Sequence, residues 1–273
     1  MNMKEGKLGF IGAGNMATAM VKGLTGSRLY TPDRLLASDP DKSKIKTLTE
    51  SFGMKGISNN RILVQDSSII ILAVKPQVIR DVLEEIKEAI RKDHLVISIA
   101  AGIPIKIIHT IIGPDIPVIR VMPNTPALIQ KGISALAPGK TATPEHVETA
   151  KIIFDAIGET VLVQEEMMDA VTALSGSGPG FLFRIMECFV EAGKQIGFDD
   201  EISQRLVIQT FLGATQLAGV SGKTLSELRK MVTSPGGTTE AGLAVFEDRG
   251  LEAGIREVVK AAYQRGMELG KKL

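Results

Sequence analysis

A glycine-rich turn near the start of the chain is the first feature of the sequence that could do chemistry. The apolar residues 8–11 run directly into Gly-Ala-Gly-Asn-Met-Ala at 12–17. In this order the glycines allow a tight turn and a close backbone approach to a pyrophosphate, while Ala17 lets a helix pack closely on the strand. The pattern predicts a dinucleotide-binding turn whose helix amides face phosphates. A merely tight strand-to-helix turn is the alternative.

An aspartate stands at the end of the second predicted strand. Asp39 follows the apolar residues 35–38 and precedes Pro40. A carboxylate there can accept from a ribose 2′-OH and repel a 2′-phosphate, so we expect NADH to be used at least as well as NADPH. Asp39 can also, or instead, N-cap the next helix with Pro40 at its first position. In that case Lys42 or Lys44 could pair with the phosphate.

Three further segments leave predicted strands at their carboxyl ends, which line the ligand crevice in open α/β sheets. Lys75, within Ala-Val-Lys-Pro at 73–76, can act as a general acid, an orienting cation or an exposed helix-start residue. The small residues of Ser-Ile-Ala-Ala-Gly at 98–102 can let a flat ring lie against the backbone. Met-Pro-Asn-Thr-Pro at 122–126 either positions a nicotinamide or forms a stiff exit loop.

Two glycine-rich stretches interrupt the second half of the chain. Leu-Ser-Gly-Ser-Gly-Pro-Gly at 174–180 and Thr-Ser-Pro-Gly-Gly-Thr-Thr-Glu at 233–240 each precede a predicted helix. Free amides and hydroxyls at a helix N-terminus favour a carboxylate or phosphate. Capped turns between helices are the alternative interpretation of both stretches.

An alternation of short apolar runs and helical patterns must position these segments, and it predicts a largely parallel sheet. The predicted strands are 8–11, 35–38, 69–74, 95–99 and 118–122, with weaker candidates at 133–137 and 160–163, and the predicted helices are 15–24, 42–52, 77–90 and 145–157. After Val163 apolar residues recur at helical spacing only. The sequence therefore predicts a Rossmann-like α/β dinucleotide-binding domain at 1–164 and an all-α dimerisation and substrate domain at 165–273.

Apolar residues cover more than one face of two predicted helices, 179–197 and 202–218. Such helices bury two sides, so a second helical layer must come from the same chain or from a partner chain. About 109 residues are too few to cover both helices from within one chain, so we expect an obligate homodimer.

Composition excludes several other classes of function. The 273 residues carry a net charge of +1, so no bulk field attracts nucleic acid or an anionic membrane. The single cysteine, Cys188, excludes an intramolecular disulfide, and the three histidines lack metal-ligand spacing. No apolar stretch approaches the length of a membrane span, and no signal peptide is recognisable. We expect a cytoplasmic protein without a metal, whose partners are small molecules and itself.

Six motifs together resemble those of pyrroline-5-carboxylate reductase. They are Ile-Gly-Ala-Gly-Asn-Met at 11–16, Ala-Val-Lys-Pro at 73–76, Ser-Ile-Ala-Ala-Gly at 98–102, Met-Pro-Asn-Thr-Pro at 122–126, Leu-Ser-Gly-Ser-Gly-Pro at 174–179 and Ser-Pro-Gly-Gly-Thr-Thr at 234–239. Their order and spacing match along essentially the whole chain. The resemblance implies reduction of L-1-pyrroline-5-carboxylate to L-proline with NADPH or NADH, the last step of proline biosynthesis. It also implies a helical domain that interlocks with a second subunit, often in rings of dimers.

The same resemblance assigns the site residues. The cofactor would contact Gly12, Ala13, Gly14, Asn15, Met16, Asp39, Asn60, Ala73, Val74, Lys75, Pro76 and Ala101. The substrate would contact Glu165, Ser234, Gly237, Thr238 and Thr239. Amides around Gly237 and Thr238 would hold its carboxylate, and the hydroxyl of Thr239, the catalytic residue, would lie on the ring nitrogen. Family members that use NADPH often have a small hydroxyl residue where Asp39 stands.

Two other classes of function remain as alternatives. A β-hydroxyacid dehydrogenase would place a catalytic lysine on the helix after its glycine-rich turn, whereas residues 181–184 here are Phe-Leu-Phe-Arg and the first lysine is Lys194. A non-catalytic dinucleotide-sensing module would leave the 234–239 turn without a purpose. Ser175 lacks a nearby His/Asp pair, so nucleophilic hydrolysis is not supported.

Overall fold

A twisted sheet forms the first part of the chain in the computed structural model, which describes residues 6–271. Its strands within that range are β1 Leu8–Ile11, β2 Leu35–Ser38, β3 Lys55–Gly56, β4 Ile69–Leu72, β5 Leu95–Ser98, β6 Val118–Met122, β7 Gly132–Pro138 and β8 Gly158–Leu162. They lie in the order β3-β2-β1-β4-β5-β6-β7-β8. The order reverses between β1 and β4, which is where such sheets bind ligands.

All neighbouring strands are parallel except β6 and β7, in which Arg120 pairs with Ala137 in an antiparallel register. The exception follows from the connection, because residues 123–131 are too few for a crossover helix and return the chain beside the strand it has just left. The predicted fold class, a Rossmann-like sheet domain followed by helices, is confirmed. The parallel pattern continues to β8 because the longer connection from β7 contains a helix.

Helices cover the sheet and make up the rest of the chain. They are α1 Asn15–Gly26, α2 Lys42–Phe52, α3 Asn60–Asp66, α4 Ile79–Ile86, α5 Ile105–Ile112, α6 Pro144–Asp155, α7 Met168–Val171, α8 Gly178–Gln195, α9 Asp200–Val220, α10 Leu225–Met231, α11 Thr238–Asp248 and α12 Leu251–Lys271. Helices on both faces bury both sides of β1, β2, β4 and β5, which explains why these strands are almost wholly apolar.

The predicted elements differ from the structure in a few places. The predicted helix 77–90 is α4 with a short 3₁₀ turn at each end, Pro76–Val78 and Lys87–Ala89. Helices α3 and α5 and the two-residue strand β3 lie where no element was predicted. Within residues 6–271, no helix combines the length and the apolar character needed to cross a bilayer.

The chain folds into two compact units. The sheet unit runs to Ser177 and includes the chain from Ala262 onward, whereas the helical unit is Gly178–Ala261. The short helical segments between Glu165 and Gly176 therefore pack with the sheet. The domain boundary expected at 164/165 stays a prediction.

The end of α12 belongs to the sheet unit because it packs closely against it. A Cβ atom on Gly266 would lie 3.7 Å from Cβ of Asp169 in α7, and one on Gly270 would lie 3.2 Å from the carbonyl oxygen of Gly102. The spacing of these two glycines, one helical turn apart, permits this close approach. The chain thus leaves the sheet unit after Ser177 and returns to it at Ala262.

Candidate functional site

The N-terminus of α1 offers free amides at the end of β1. Gly14 is the N-cap residue and no side chain accepts from the first amides of the helix. Gly12 has φ of +101°, and a Cβ atom there would lie 2.4 Å from the carbonyl oxygen of Ala73, so only glycine fits. Unpaired N–H groups at a helix N-terminus form a ready site for an anion such as pyrophosphate.

Asp39 does not N-cap α2, so the alternative interpretation of this residue was wrong. The N-cap is Asp41, whose carboxylate accepts from the amide of Ser43 at 2.9 Å. Asp39 instead accepts from Ala13 N–H in the glycine-rich turn and from Asp41 N–H, both at 2.9 Å. The ammonium of Lys44 lies 3.7 Å from Oδ1 of Asp39. These contacts hold the Asp39 carboxylate beside the turn and leave each oxygen one further lone pair.

A cavity of about 390 Å³ opens beside this turn, at the carboxyl ends of β1, β2 and β4. Four of the predicted cofactor residues line it together, namely Gly12, Asp39, Asn60 and Val74. Its wall also contains Glu85 of α4, which the sequence did not indicate. A cleft at the switch point of the sheet, with a few polar groups in a largely apolar wall, is the expected place for the adenosine half of a dinucleotide.

The other predicted cofactor residues follow strand ends on the same edge. Lys75 is exposed and is the N-cap residue of the 3₁₀ turn that begins at Pro76, which fits the interpretation of a helix-start residue. Ala101 is exposed in the turn after β5, next to Gly102 with φ of +74°. The cofactor role of these residues stays a prediction.

Asn124 fixes the loop after β6. Its side-chain Oδ1 accepts from Ile133 N–H at 2.9 Å, and its Nδ2 donates to the carbonyl of Ser175 at 3.1 Å. Ser175 lies in a π-helical turn, Thr172–Gly176. Because residue 179 is proline and has no N–H, the Ser175 carbonyl lacks its ordinary helical donor, and Asn124 supplies one. The interpretation of residues 122–126 as a stiff exit loop agrees with these bonds.

Glu165 is engaged within the sheet unit. Its Oε1 accepts from the amide of Ile105 at 2.6 Å, at the start of α5, and lies 4.0 Å from Arg120. The buried guanidinium of Arg120 also donates to Asp169 at 3.3 Å. Glu165 therefore caps α5 and helps to compensate a buried cation, and its expected contact with substrate stays a prediction.

The turn before α11 presents the second group of predicted residues. Gly237 is the N-cap of α11 with no side-chain cap, and its own N–H donates to the carbonyl of Ser234 at 3.0 Å. The amide of Gly236 donates to the carboxylate of Glu240 at 2.7 Å. Within the described part of the chain, the N–H groups of Thr238 and Thr239 have no acceptor. These two amides, rather than that of Gly237, are free to hold a carboxylate.

Two known families match this chain. Residues 165–269 match the family described as pyrroline-5-carboxylate reductase dimerisation. Residues 7–102 match the family described as NADP oxidoreductase, coenzyme F420-dependent. A pyrroline-5-carboxylate reductase from Methanosarcina acetivorans is 42% identical over 99% of this chain and 100% of its own length. This chain belongs to the pyrroline-5-carboxylate reductase family. The family suggested by the six motifs is thus confirmed.

Other pyrroline-5-carboxylate reductases agree in sequence and in structure. The Pseudomonas aeruginosa protein is 38% identical over 99% of both chains. The structure of a pyrroline-5-carboxylate reductase from Coxiella burnetii superposes with a TM-score of 0.91 at 35% identity, covering 97% of this chain and 98% of that one. A Plasmodium falciparum pyrroline carboxylate reductase with NADP bound gives a TM-score of 0.89 at 29% identity, covering 98% and 100%.

Membership of the pyrroline-5-carboxylate reductase family makes the chain an oxidoreductase. The chain also contains the family's dimerisation region, at residues 165–269. The alternative of a β-hydroxyacid dehydrogenase is not favoured. Among the described residues, no group of three or more His, Cys, Asp or Glu side chains is placed to hold a metal ion.

Three polar residues of these sites went unrecognised in the sequence. Arg120 had a detectable signal, because a charged residue inside an apolar strand must have a partner. Asn124 was noted only as part of a loop. Glu85 had no detectable signal in the sequence, because one acid on an amphipathic helix is ordinarily a solvent-facing residue.

Proposed function

We propose that this chain reduces L-1-pyrroline-5-carboxylate to L-proline, the last step of proline biosynthesis, by hydride transfer from NADPH or NADH to the ring C=N bond. The observation that carries the proposal is the likeness to pyrroline-5-carboxylate reductases over the whole length of the chain. The two sets of free helix amides, on α1 and on α11, support it because the reaction needs a pyrophosphate site and a carboxylate site.

Each group of the chain has a specific task in this proposal. The bound dinucleotide supplies the hydride. The amides at the start of α1 bind its pyrophosphate, and Asp39 and Asn60 face its adenosine ribose. The N–H groups of Thr238 and Thr239 hold the carboxylate of the substrate. The hydroxyl of Thr239 orients the ring nitrogen, and because a cyclic imine can arrive already protonated, a histidine acid is not required.

The proposal includes the assembly and the location of the enzyme. We propose a homodimer, with further assembly of dimers into a ring, as the family resemblance implies. A cytoplasmic location is in keeping with a sequence that has one cysteine.

A spectrophotometric assay tests the reaction. We expect oxidation of NADH or NADPH in the presence of pyrroline-5-carboxylate and no dinucleotide turnover with a panel of 3-hydroxy acids. Turnover of a 3-hydroxy acid instead would support the dehydrogenase alternative, and dinucleotide binding without any turnover would support a sensing module.

Replacing Thr239 tests the substrate site. Thr239→Val should lower kcat/KM for pyrroline-5-carboxylate by about 5- to 150-fold, because a hydrogen bond worth about 1–3 kcal/mol is lost. Dinucleotide affinity should change little. Thr110→Val, the same substitution on an exposed turn of α5, serves as control. Unchanged kinetics for Thr239→Val would place the substrate elsewhere.

Asp39 sets the choice of dinucleotide in this proposal. Its carboxylate is held beside the cavity, where it can accept from a ribose hydroxyl and repels a 2′-phosphate. We expect NADH to be used at least as well as NADPH by kcat/KM, and Asp39→Ser to shift the ratio about tenfold toward NADPH. A wild-type enzyme that prefers NADPH tenfold, with a ratio that the substitution leaves unchanged, would contradict this role.

A further inference from the structure

One acid in the wall of the dinucleotide cavity has no task in the reaction described above. Glu85 of α4 accepts from Nδ2 of Asn60 at 2.7 Å through Oε2. On the other side, Oδ1 of Asn60 accepts from the hydroxyl of Ser38 at 2.6 Å. Ser38 is almost fully buried, whereas Asn60 and Glu85 are half-buried and line the cavity. The three side chains form one hydrogen-bonded row across the cavity wall.

The two neighbours of Asn60 differ in what they can accept and donate. The serine hydroxyl can be donor or acceptor, so it tolerates either end of the Asn60 amide. The ionised carboxylate of Glu85 can only accept, so it requires the NH₂ end. Glu85 therefore decides which way the Asn60 amide points.

Fixing the orientation of the Asn60 amide also fixes the direction of its second N–H. One N–H of Asn60 goes to Glu85, and the other has no acceptor among the described residues. Asn60 lies in the same wall as Asp39 and Gly12, where the adenosine ribose is expected. An N–H at this place suits an oxygen at the ribose 2′ position, whether a hydroxyl or a phosphate.

We propose that Glu85 is a positioning residue for dinucleotide binding, which locks the Asn60 amide so that its free N–H faces the 2′ position of the adenosine ribose. This inference rests on the proposed dinucleotide-dependent function. It adds that the orientation of one side-chain amide is part of how the dinucleotide is bound, and that Glu85 sets this orientation.

The test replaces Glu85 by a residue of nearly the same size. Glu85→Gln keeps the shape but offers both a donor and an acceptor, so the Asn60 amide can turn over. We expect the Kd for NADH and NADPH, measured by titration of the full-length protein, to rise about 3- to 10-fold, with KM for the dinucleotide rising in step and kcat unchanged. Glu84→Gln, the same change one residue earlier on the exposed side of α4, should leave both constants within about twofold.

A double variant separates positioning from simple structural support. Asn60→Asp combined with Glu85→Gln exchanges donor and acceptor, so both hydrogen bonds of the row and its net charge are restored. The melting temperature should therefore return to the wild-type value. Residue 60, however, now presents a carboxylate oxygen to the cavity instead of an N–H. The double variant should therefore bind NADPH at least about tenfold more weakly than the wild type does.

The possible failures are distinguishable. If the wild-type protein binds neither NADH nor NADPH, the proposed function fails and this inference fails with it. If the wild type binds but Glu85→Gln behaves like Glu84→Gln, only this inference is overturned. Recovery of both melting temperature and NADPH affinity in the double variant would also overturn it, because it would show that the row serves the fold alone.

Discussion

The sheet unit and the helical unit use apolar residues in opposite ways. Every residue of β1, β2, β4 and β5 is buried, and their side chains form two clusters on the two faces of the sheet. In Gly178–Ala261, by contrast, Ser203 is the one buried residue, and Phe183 of α8 and Ile208 of α9 are 59% and 52% exposed. The sheet unit therefore covers its own apolar surface, whereas the helical unit leaves its surface for another chain to cover.

The packing inside the helical unit supports this comparison. Helices α8 and α9 approach closely where Gly193 faces Ser203, since a Cβ on Gly193 would lie 2.8 Å from Oγ of Ser203. The rings of Phe189 and Phe211 meet edge to face with centroids 5.4 Å apart. These contacts use only the inner side of each helix. The exposed apolar side agrees with the match of this region to a dimerisation family.

The largest expected effect comes from a charge on the exposed apolar face of α8. Phe183→Glu should change the folding stability of a single chain little. In a symmetric dimer each copy of the substitution should remove about 3 kcal/mol of association free energy, which raises the dimer Kd at least about a thousandfold. Light scattering at micromolar concentration should report a dimer or larger assembly for the wild type and a monomer for the variant.

The same variant sharpens the comparison between the units. Gln209→Glu, which places a charge at an exposed polar position of α9, should leave the assembly intact. Because the dinucleotide cavity is lined only by residues of the sheet unit, the monomeric Phe183→Glu chain should still bind dinucleotide. A wild-type chain that is a stable, active monomer would contradict the whole comparison.

The next largest effect lies inside the sheet. Ile70 of β4 is fully buried, so Ile70→Ala should lower the free energy of unfolding by about 2–5 kcal/mol through lost burial and a cavity. Light scattering should show the assembly unchanged. Ile62→Ala, in which the deleted side chain is half exposed, should cost about 0.5 kcal/mol or less in the same urea titration. Equal losses for the two variants would mean that the interior of the sheet is not its main source of stability.

A smaller effect should depend on pH. His94 is fully buried at the start of β5, and burial lowers its pKa to about 4. Its Nδ1 accepts from Arg91 N–H at 3.1 Å, so the neutral ring is the form that fits. Because the fold keeps this ring neutral, protonation favours the unfolded chain. The free energy of unfolding is unaffected above the unfolded pKa of about 6.5 and falls by about 2–3 kcal/mol as the pH drops toward 4. The sheet unit should therefore lose stability in mild acid.

A non-titrating variant isolates this contribution of His94. Urea titrations of the wild type and of His94→Gln at pH 7.5 and pH 4.5 share every other ionisable group. We expect the wild type to lose more stability than the variant between the two pH values. Parallel losses would show that His94 is protonated in the fold at no cost.

The sequence predicted those parts of the fold that depend on local patterns. Strands β1, β2 and β6 and helix α2 have the predicted bounds, because continuous apolar runs and amphipathic spacing are local signals. Helix α5 was missed because Ile-Lys-Ile-Ile-His-Thr-Ile-Ile is rich in β-branched residues, which favour strands. It is capped by Glu165, a residue distant along the chain. Helix α3 could have been found, because Asn59 stands where its N-cap is needed.

In the candidate site, too, local patterns were recognisable in the sequence and contacts between distant residues were not. The glycine-rich turn and the 234–239 segment were recognisable because their residue types and spacing are themselves the signal. The hydrogen bonds of Asp39 with Ala13 and of Glu85 with Asn60 join residues that are far apart in sequence. The first pair is brought together by the pairing of β1 with β2 and the second by the packing of α3 against α4, so neither bond could be derived from a single sequence.

The return of α12 to the sheet unit also has a consequence for how the protein is made. A ribosome releases residues in order, and domains generally fold as they emerge. The sheet, however, receives residues 262–271 only after the whole of Gly178–Ala261 has been synthesised. Until then, the surface around Gly102 and Asp169, which Gly266 and Gly270 later approach, stays uncovered on the nascent chain. The last packing interactions of the first unit to emerge are thus among the last made during translation.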